Sequence, residues 1–199
     1  MRNLFIIVKA ILKISIMCFP VAVFAQEFGE NDYRLIFDIH RSDIDEVIRE
    51  DGVIVRTLVL PGQVIITEYE SAGEVKYVAE DHGEPSGHLC LLSIFLSTQR
   101  ALDRCTDVGT DAQNMRLEDM IGRLSTYIAD NTIPKYPIEK LRLELNQQRE
   151  ESRQQARECS LFGGYDERFV EHLLSDELYF SFDEILAVPK LPVITFCGL

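Results

Sequence analysis

Residues 53–80 read VIVRTLVLPGQVIITEYESAGEVKYVAE: three runs rich in β-branched side chains, broken at Pro61-Gly62 and at Ser71-Ala72-Gly73. Runs of this kind joined by tight turns predict an antiparallel meander. In the middle run Val64 and Ile66 alternate with Ile65, Thr67 and Tyr69, a period of two that predicts one covered face. Upstream, Tyr33–Ile39 (YRLIFDI) reads as another β-rich run. Ser42–Gly52 (SDIDEVIREDG) reads as a short helix, capped by Ser42, with acids in the first turn and Gly52 past its end.

Downstream the pattern changes to helical. Residues 88–106, 114–129 and 138–159 predict three helices joined by short loops, running up, down and up. The apolar first half of the first (LCLLSIFL) suits an element buried between others, and it is expected to cover the sheet. Leu117, Met120, Ile121, Leu124 and Ile128 recur at helical spacing in the second, and Asn131 is its expected stop. Ile138, Leu141 and Leu145 form an inward stripe in the third, but Asn146–Glu158 (NQQREESRQQARE) offers no apolar side chain larger than Ala156. Since a helix draws most of its stability from an apolar face, this half either projects into solvent or meets a polar partner. Asp166–Leu174 reads as a short amphipathic helix, Ser181–Glu184 as a capping box and Leu191–Cys197 (LPVITFC) as a last strand. The expected fold is α+β: a small antiparallel β-meander packed against three helices, with the C-terminal segment tied back by a disulfide.

The N-terminus predicts that the domain is exported, to be periplasmic or secreted. Arg2, Lys9 and Lys13 precede the apolar run Ile14–Ala25 (ISIMCFPVAVFA), and Val23-Phe24-Ala25 suits a signal peptidase. Residues 1–25 therefore read as a cleaved signal peptide and 26–199 as one α+β domain. A membrane anchor needs about 20 uninterrupted apolar residues, and Lys9, Lys13 and Pro20 interrupt this one. Cleavage removes three basic residues and no acidic one, taking the net charge from −13 to near −16. That balance argues against nucleic acid or an anionic membrane as partner and favours a cationic protein.

In an oxidising compartment the four remaining cysteines, Cys90, Cys105, Cys159 and Cys197, predict two disulfides. A continuous helix sets Cys90 and Cys105 about 22 Å apart at ~1.5 Å per residue, beyond the ~7 Å reach of a disulfide. The first and third helices end together, so Cys105 is expected to pair with Cys159 and Cys90 with Cys197. No Cys-x-x-Cys suggests a redox site or a zinc knuckle.

Two groups of residues carry candidate chemistry. Glu80–His88 (EDHGEPSGH) gathers imidazoles and carboxylates, and His82, His88 and Glu84 are the candidate metal ligands. The competing reading is a solvated loop in which Ser86 caps the following helix. Ser86 with His82 or His88 is also the nearest approach to a nucleophile–base pair, and no Gly-x-Ser-x-Gly elbow accompanies it. Arg149, Arg153 and Arg157 recur every fourth residue and line one helix face. They form a solvated face, dock on the protein's own acids or read a partner's carboxylates. Together these features predict an exported, acidic, disulfide-stabilised, non-enzymatic protein that binds a cationic exported protein as an inhibitor or immunity-type partner, without a cofactor. The alternatives are a hydrolase or metal-dependent enzyme using residues 80–88, and a small-ligand carrier with a cavity between sheet and buried helix.

Overall fold

In a computed structural model the described residues are 31–84, 87–104, 109–154 and 167–193. The order is α1 (Tyr33–Ile39), β1 (Ile44–Ile48), β2 (Ile54–Leu60), β3 (Val64–Ser71), β4 (Glu74–Asp81), α2 (His88–Arg104), α3 (Asp111–Asn131), α4 (Ile138–Gln154), α5 (Glu167–Leu173) and α6 (Asp176–Ile185). The fold is α+β, with a four-stranded antiparallel sheet in the order β1-β2-β3-β4. The three strands expected at residues 53–80 are β2, β3 and β4.

Two upstream expectations are corrected. Tyr33–Ile39 is a helix, because Tyr33, Ile36 and Phe37 stand at i, i+3 and i+4 and form a stripe that docks on the sheet. Asp32 caps it by accepting from the Leu35 N–H at 2.9 Å, and Ile36 and Phe37 are buried. The segment read as a helix at 42–52 is a 3₁₀ turn (Arg41–Asp43) followed by β1. Five residues of ladder with β2, from Ile44 opposite Leu58 to Ile48 opposite Ile54, outweigh the capping signal. Gly52, at φ +81°, serves the hairpin turn rather than a helix end.

The chain builds two apolar cores. Leu58, Leu60, Val64 and Ile66 on one sheet face meet Ile36 and Phe37 of α1 and Leu191 and Val193 of the C-terminal segment. A second core, from Leu92, Phe95, Leu117, Leu124, Leu141, Leu173 and Phe182 among others, lies within the helices. The expectation that the helix after residue 88 covers the sheet is therefore corrected: α2 is buried among helices, while α1 and residues 191–193 cover the sheet. Leu191–Val193 lie on the covered face as non-strand chain, since Pro192 leaves no N–H for a ladder.

The helical expectations hold in α3, whose five periodic residues are all buried. Its start is three residues earlier than expected, because Thr110 and Gln113 form a reciprocal capping box. The capping box expected at Ser181–Glu184 is corrected too, to a simple cap six residues earlier. Ser175 caps α6, while Ser181 lies inside it and donates to the Glu177 carbonyl at 2.9 Å. Six α-helices are present among the described residues, against the three main ones expected. Cys90 is disulfide-bonded. Residues 1–25, Ser86, Arg157, Cys105, Cys159 and Cys197 lie outside the described residues, and with them the signal segment and the expected pairing.

Candidate functional site

The densest polar arrangement lies where the two cores meet, and part of it falls in the stretch singled out by sequence. Asp81 ends β4 on its inward-facing side. Its Oδ1 accepts from the Lys190 ammonium at 2.9 Å and from the Gly83 N–H at 3.0 Å, and its Oδ2 accepts from the Gly87 N–H at 3.2 Å. The two charged side chains are 4% and 2% exposed, which makes this a buried ion pair. Lys190 also donates to the Gly83 carbonyl at 3.2 Å. Its stem packs on Gly62, where a Cβ would stand 2.6 Å from that of Lys190. A Cβ at Gly83 would lie 2.1 Å from the Gly62 carbonyl oxygen, so both turns require glycine for close approach.

The helical side completes this clasp. The Lys190 N–H donates to the Tyr127 hydroxyl at 3.0 Å, and that hydroxyl donates to the Val188 carbonyl at 2.7 Å. His88 stacks on the Tyr127 ring at 4.5 Å between centroids. Its Nε2–H donates to the Ile185 carbonyl at 3.1 Å. Nδ1 is then the acceptor nitrogen, and it is buried without a hydrogen-bond partner among the described residues. Burial pushes the His88 pKa down. The Ile185 hydrogen bond opposes this, the Lys190 charge adds to it, and Asp81 works the other way. His88 is therefore held neutral in an interior seam, a place that suits bracing.

Of the expected metal ligands, His88 is buried, while His82 and Glu84 are exposed. His82 pairs with Glu80 at 3.5 Å. No three His, Cys, Asp or Glu side chains among the described residues are grouped to hold a metal ion. Within that stretch it is Asp81, Gly83, Gly87 and His88 that join the two cores. Sequence reasoning missed Lys190 and Tyr127. A lysine enclosed in VPKLPV was the available signal, because a charge amid apolar residues and prolines has to be paired if that segment packs.

The arginine row on α4 meets the protein's own acids. Arg149 grips Asp103 of α2 through Nε at 2.7 Å and Nη2 at 2.8 Å, and reaches Glu118 of α3 at 2.7 Å. Arg153 adds a bond to Asp103 at 2.9 Å and one to Glu150 at 2.8 Å. Burial alone would push the Asp103 carboxyl up, but the hydrogen bonds and charges of Arg149 and Arg153 outweigh it and hold it below the usual carboxylate range. Asp103, Arg149 and Glu118 border a polar cleft between α2, α3 and α4.

A similar pattern crosses the covered sheet face, where Arg56 of β2 links Glu46 of β1 with Glu68 and Glu70 of β3. Tyr77 follows Glu68 in the same row, and burial, then Glu68, push its hydroxyl up to about 12. The opposite face carries Val47, Val59 and Val78 exposed and Val55, Ile65 and Tyr69 half-buried. No helix among the described residues is long and apolar enough to cross a membrane. The chain matches no family model, and neither a curated protein nor a solved structure shows significant similarity to it.

Proposed function

We propose that this chain is an exported, non-enzymatic binding protein whose partner is a cationic protein, held in the manner of an inhibitor or immunity-type complex. The reading is carried by how the charges are spent. The chain has 20 basic and 33 acidic residues. Many of its cations are committed internally: Arg56 to three glutamates, Arg149 and Arg153 to Asp103, Arg116 to Asp176, Arg123 to Asp119 and Asp183, and Lys190 to Asp81. Asp45 and Glu74 on the sheet and Glu50 in the β1–β2 turn are exposed, with no ion pair among the described residues. Uncommitted carboxylates steer a basic partner and select it over acidic ones.

Export through residues 1–25 is part of the proposal, as are the disulfides Cys90–Cys197 and Cys105–Cys159. The Arg149 and Arg153 contacts to Asp103 hold the ends of α2 and α4 together, which supports the second pair. The C-terminal segment passes the start of α2 through His88 and Ile185, which supports the first. The test is to immobilise oxidised residues 26–199 and expose them to the source's exported proteins at low and then rising salt. One basic protein retained at low salt and released as salt rises is the expected result; retention of none, or retention indifferent to salt, contradicts it.

A further inference from the structure

The outer sheet face follows directly from the register. Val47, Val55, Tyr69 and Lys76 form one cross-strand row, Asp45, Thr57, Thr67 and Val78 the next, and Val59, Ile65 and Glu80 a third. Apolar side chains lie on both sides of a central Thr57–Thr67 pair, with Val47 and Val59 62% and 60% exposed. The second core lies within the helices and the first on the opposite side of the sheet. Four strands about 4.8 Å apart and five residues at about 3.4 Å make a face of about 19 Å by 17 Å, or roughly 300 Å². That area, polar and apolar together, is under half of one partner's share of a standard interface.

Charge decides what fits there. Asp45, Glu74 and Glu80 stand on this face beside the valines, and Glu50 and Asp51 occupy the β1–β2 turn. Arg49 already lies over the Tyr69 ring, 5.7 Å from its centroid, a contact that a partner's guanidinium can reproduce. A second copy would bring the same carboxylates, and a net charge of −13, against themselves. Resting on the binding reading above, we propose that the outer face of the β1–β4 sheet is the docking surface, and that its occupant is a basic protein presenting a β-branched strand flanked by Lys or Arg.

The test uses the oxidised exported chain, labelled for amide spectra, and two synthetic peptides of equal charge, one alternating valine with lysine and one alternating serine with lysine. Expected is binding of the valine–lysine peptide at least tenfold tighter than that of the serine–lysine peptide, with shifted amides confined to β1–β4. The variant V47T/V59T/V78T keeps β-branched shape at exposed positions, and its unchanged spectrum reports a retained fold. It is expected to lose at least tenfold in affinity for the valine–lysine peptide. Equal affinity for both peptides, shifts away from the sheet, or full affinity in the variant overturns the docking face while leaving the cationic-partner reading standing. Binding of neither peptide overturns both. A dimer in sedimentation that the variant abolishes assigns the face to a second copy and overturns the proposal.

Discussion

Lys190 and Asp81 show how much a single pair of side chains can decide. Breaking a buried pair by removing one partner costs about 3–5 kcal/mol, because the other charge is left uncompensated. Lys190→Met should therefore lower unfolding free energy by about that much, and adding Asp81→Asn should restore part of it. Chemical denaturation of both variants checks this, and a double variant no better than the single one would contradict it. His88 gives the clasp a pH dependence with a definite sign. Its folded pKa is depressed, so the unfolded chain binds the proton first, and stability is present above about pH 6.5 and lost as pH falls below it. The slope is at most about 1.4 kcal/mol per pH unit for one group. Lys190 and Asp81 are the charged groups acting on the ring. Urea unfolding at pH 7 and pH 5 should show a smaller loss in His88→Gln than in the parent chain; equal losses would assign the effect to other groups.

At the scale of elements, α4 is stabilised by polar contact where its apolar stripe ends. Leu141 and Leu145 are buried, and one turn later Arg149 takes over with its two-bonded grip on Asp103. Reversing Arg149 and Arg153 to glutamate would place two carboxylates against Asp103, whose side chain is only 11% exposed. The expected loss is about 2–4 kcal/mol, since charged hydrogen bonds worth about 1.5–3 kcal/mol each are replaced by repulsion, partly screened by solvent. A loss under about 0.5 kcal/mol by thermal and chemical denaturation would mean that the row is merely solvated. The same helices show what the sequence made legible. The α3 stripe was readable because five large apolar residues repeat at 3.6, and β2–β4 because their turns carry glycine and their runs are β-branched. Tyr33–Ile39 and Ile44–Ile48 were misread because each is too short for periodicity to outvote propensity. What settles them is non-local: α1 lies on Tyr77, with ring distances of 5.8 Å and 5.6 Å from Tyr33 and Phe37, and β1 pairs along β2. Of the candidate site, the 80–88 stretch was visible as a polar cluster. Its use was not, since the cation that answers Asp81 lies 109 residues away in the chain.

For the whole molecule, two cores are joined by a seam rather than merged. Besides the Lys190 clasp, Asn31 holds the C-terminal segment to the chain just after α3 by donating to the Pro192 carbonyl at 2.7 Å and accepting from the Ile133 N–H at 3.0 Å. A chain fastened this way gains from covalent ties. Peptide mapping under non-reducing conditions should find Cys90 joined to Cys197 and Cys105 to Cys159, and reduction should cost about 2–5 kcal/mol. Cys90 joined to Cys159 would contradict that arrangement. The outward expression of the fold is its charge: Arg56, Arg149 and Lys190 are committed to the chain's own carboxylates, while Asp45, Glu50 and Glu74 face out on and beside the outer sheet face. The most direct test of this account is the association rate of the captured basic protein with the chain carrying D45N/E50Q/E74Q, measured at low salt beside the parent. A fall of about tenfold or more, shrinking as salt rises, is the predicted result; an association rate unchanged by losing those three carboxylates would contradict it.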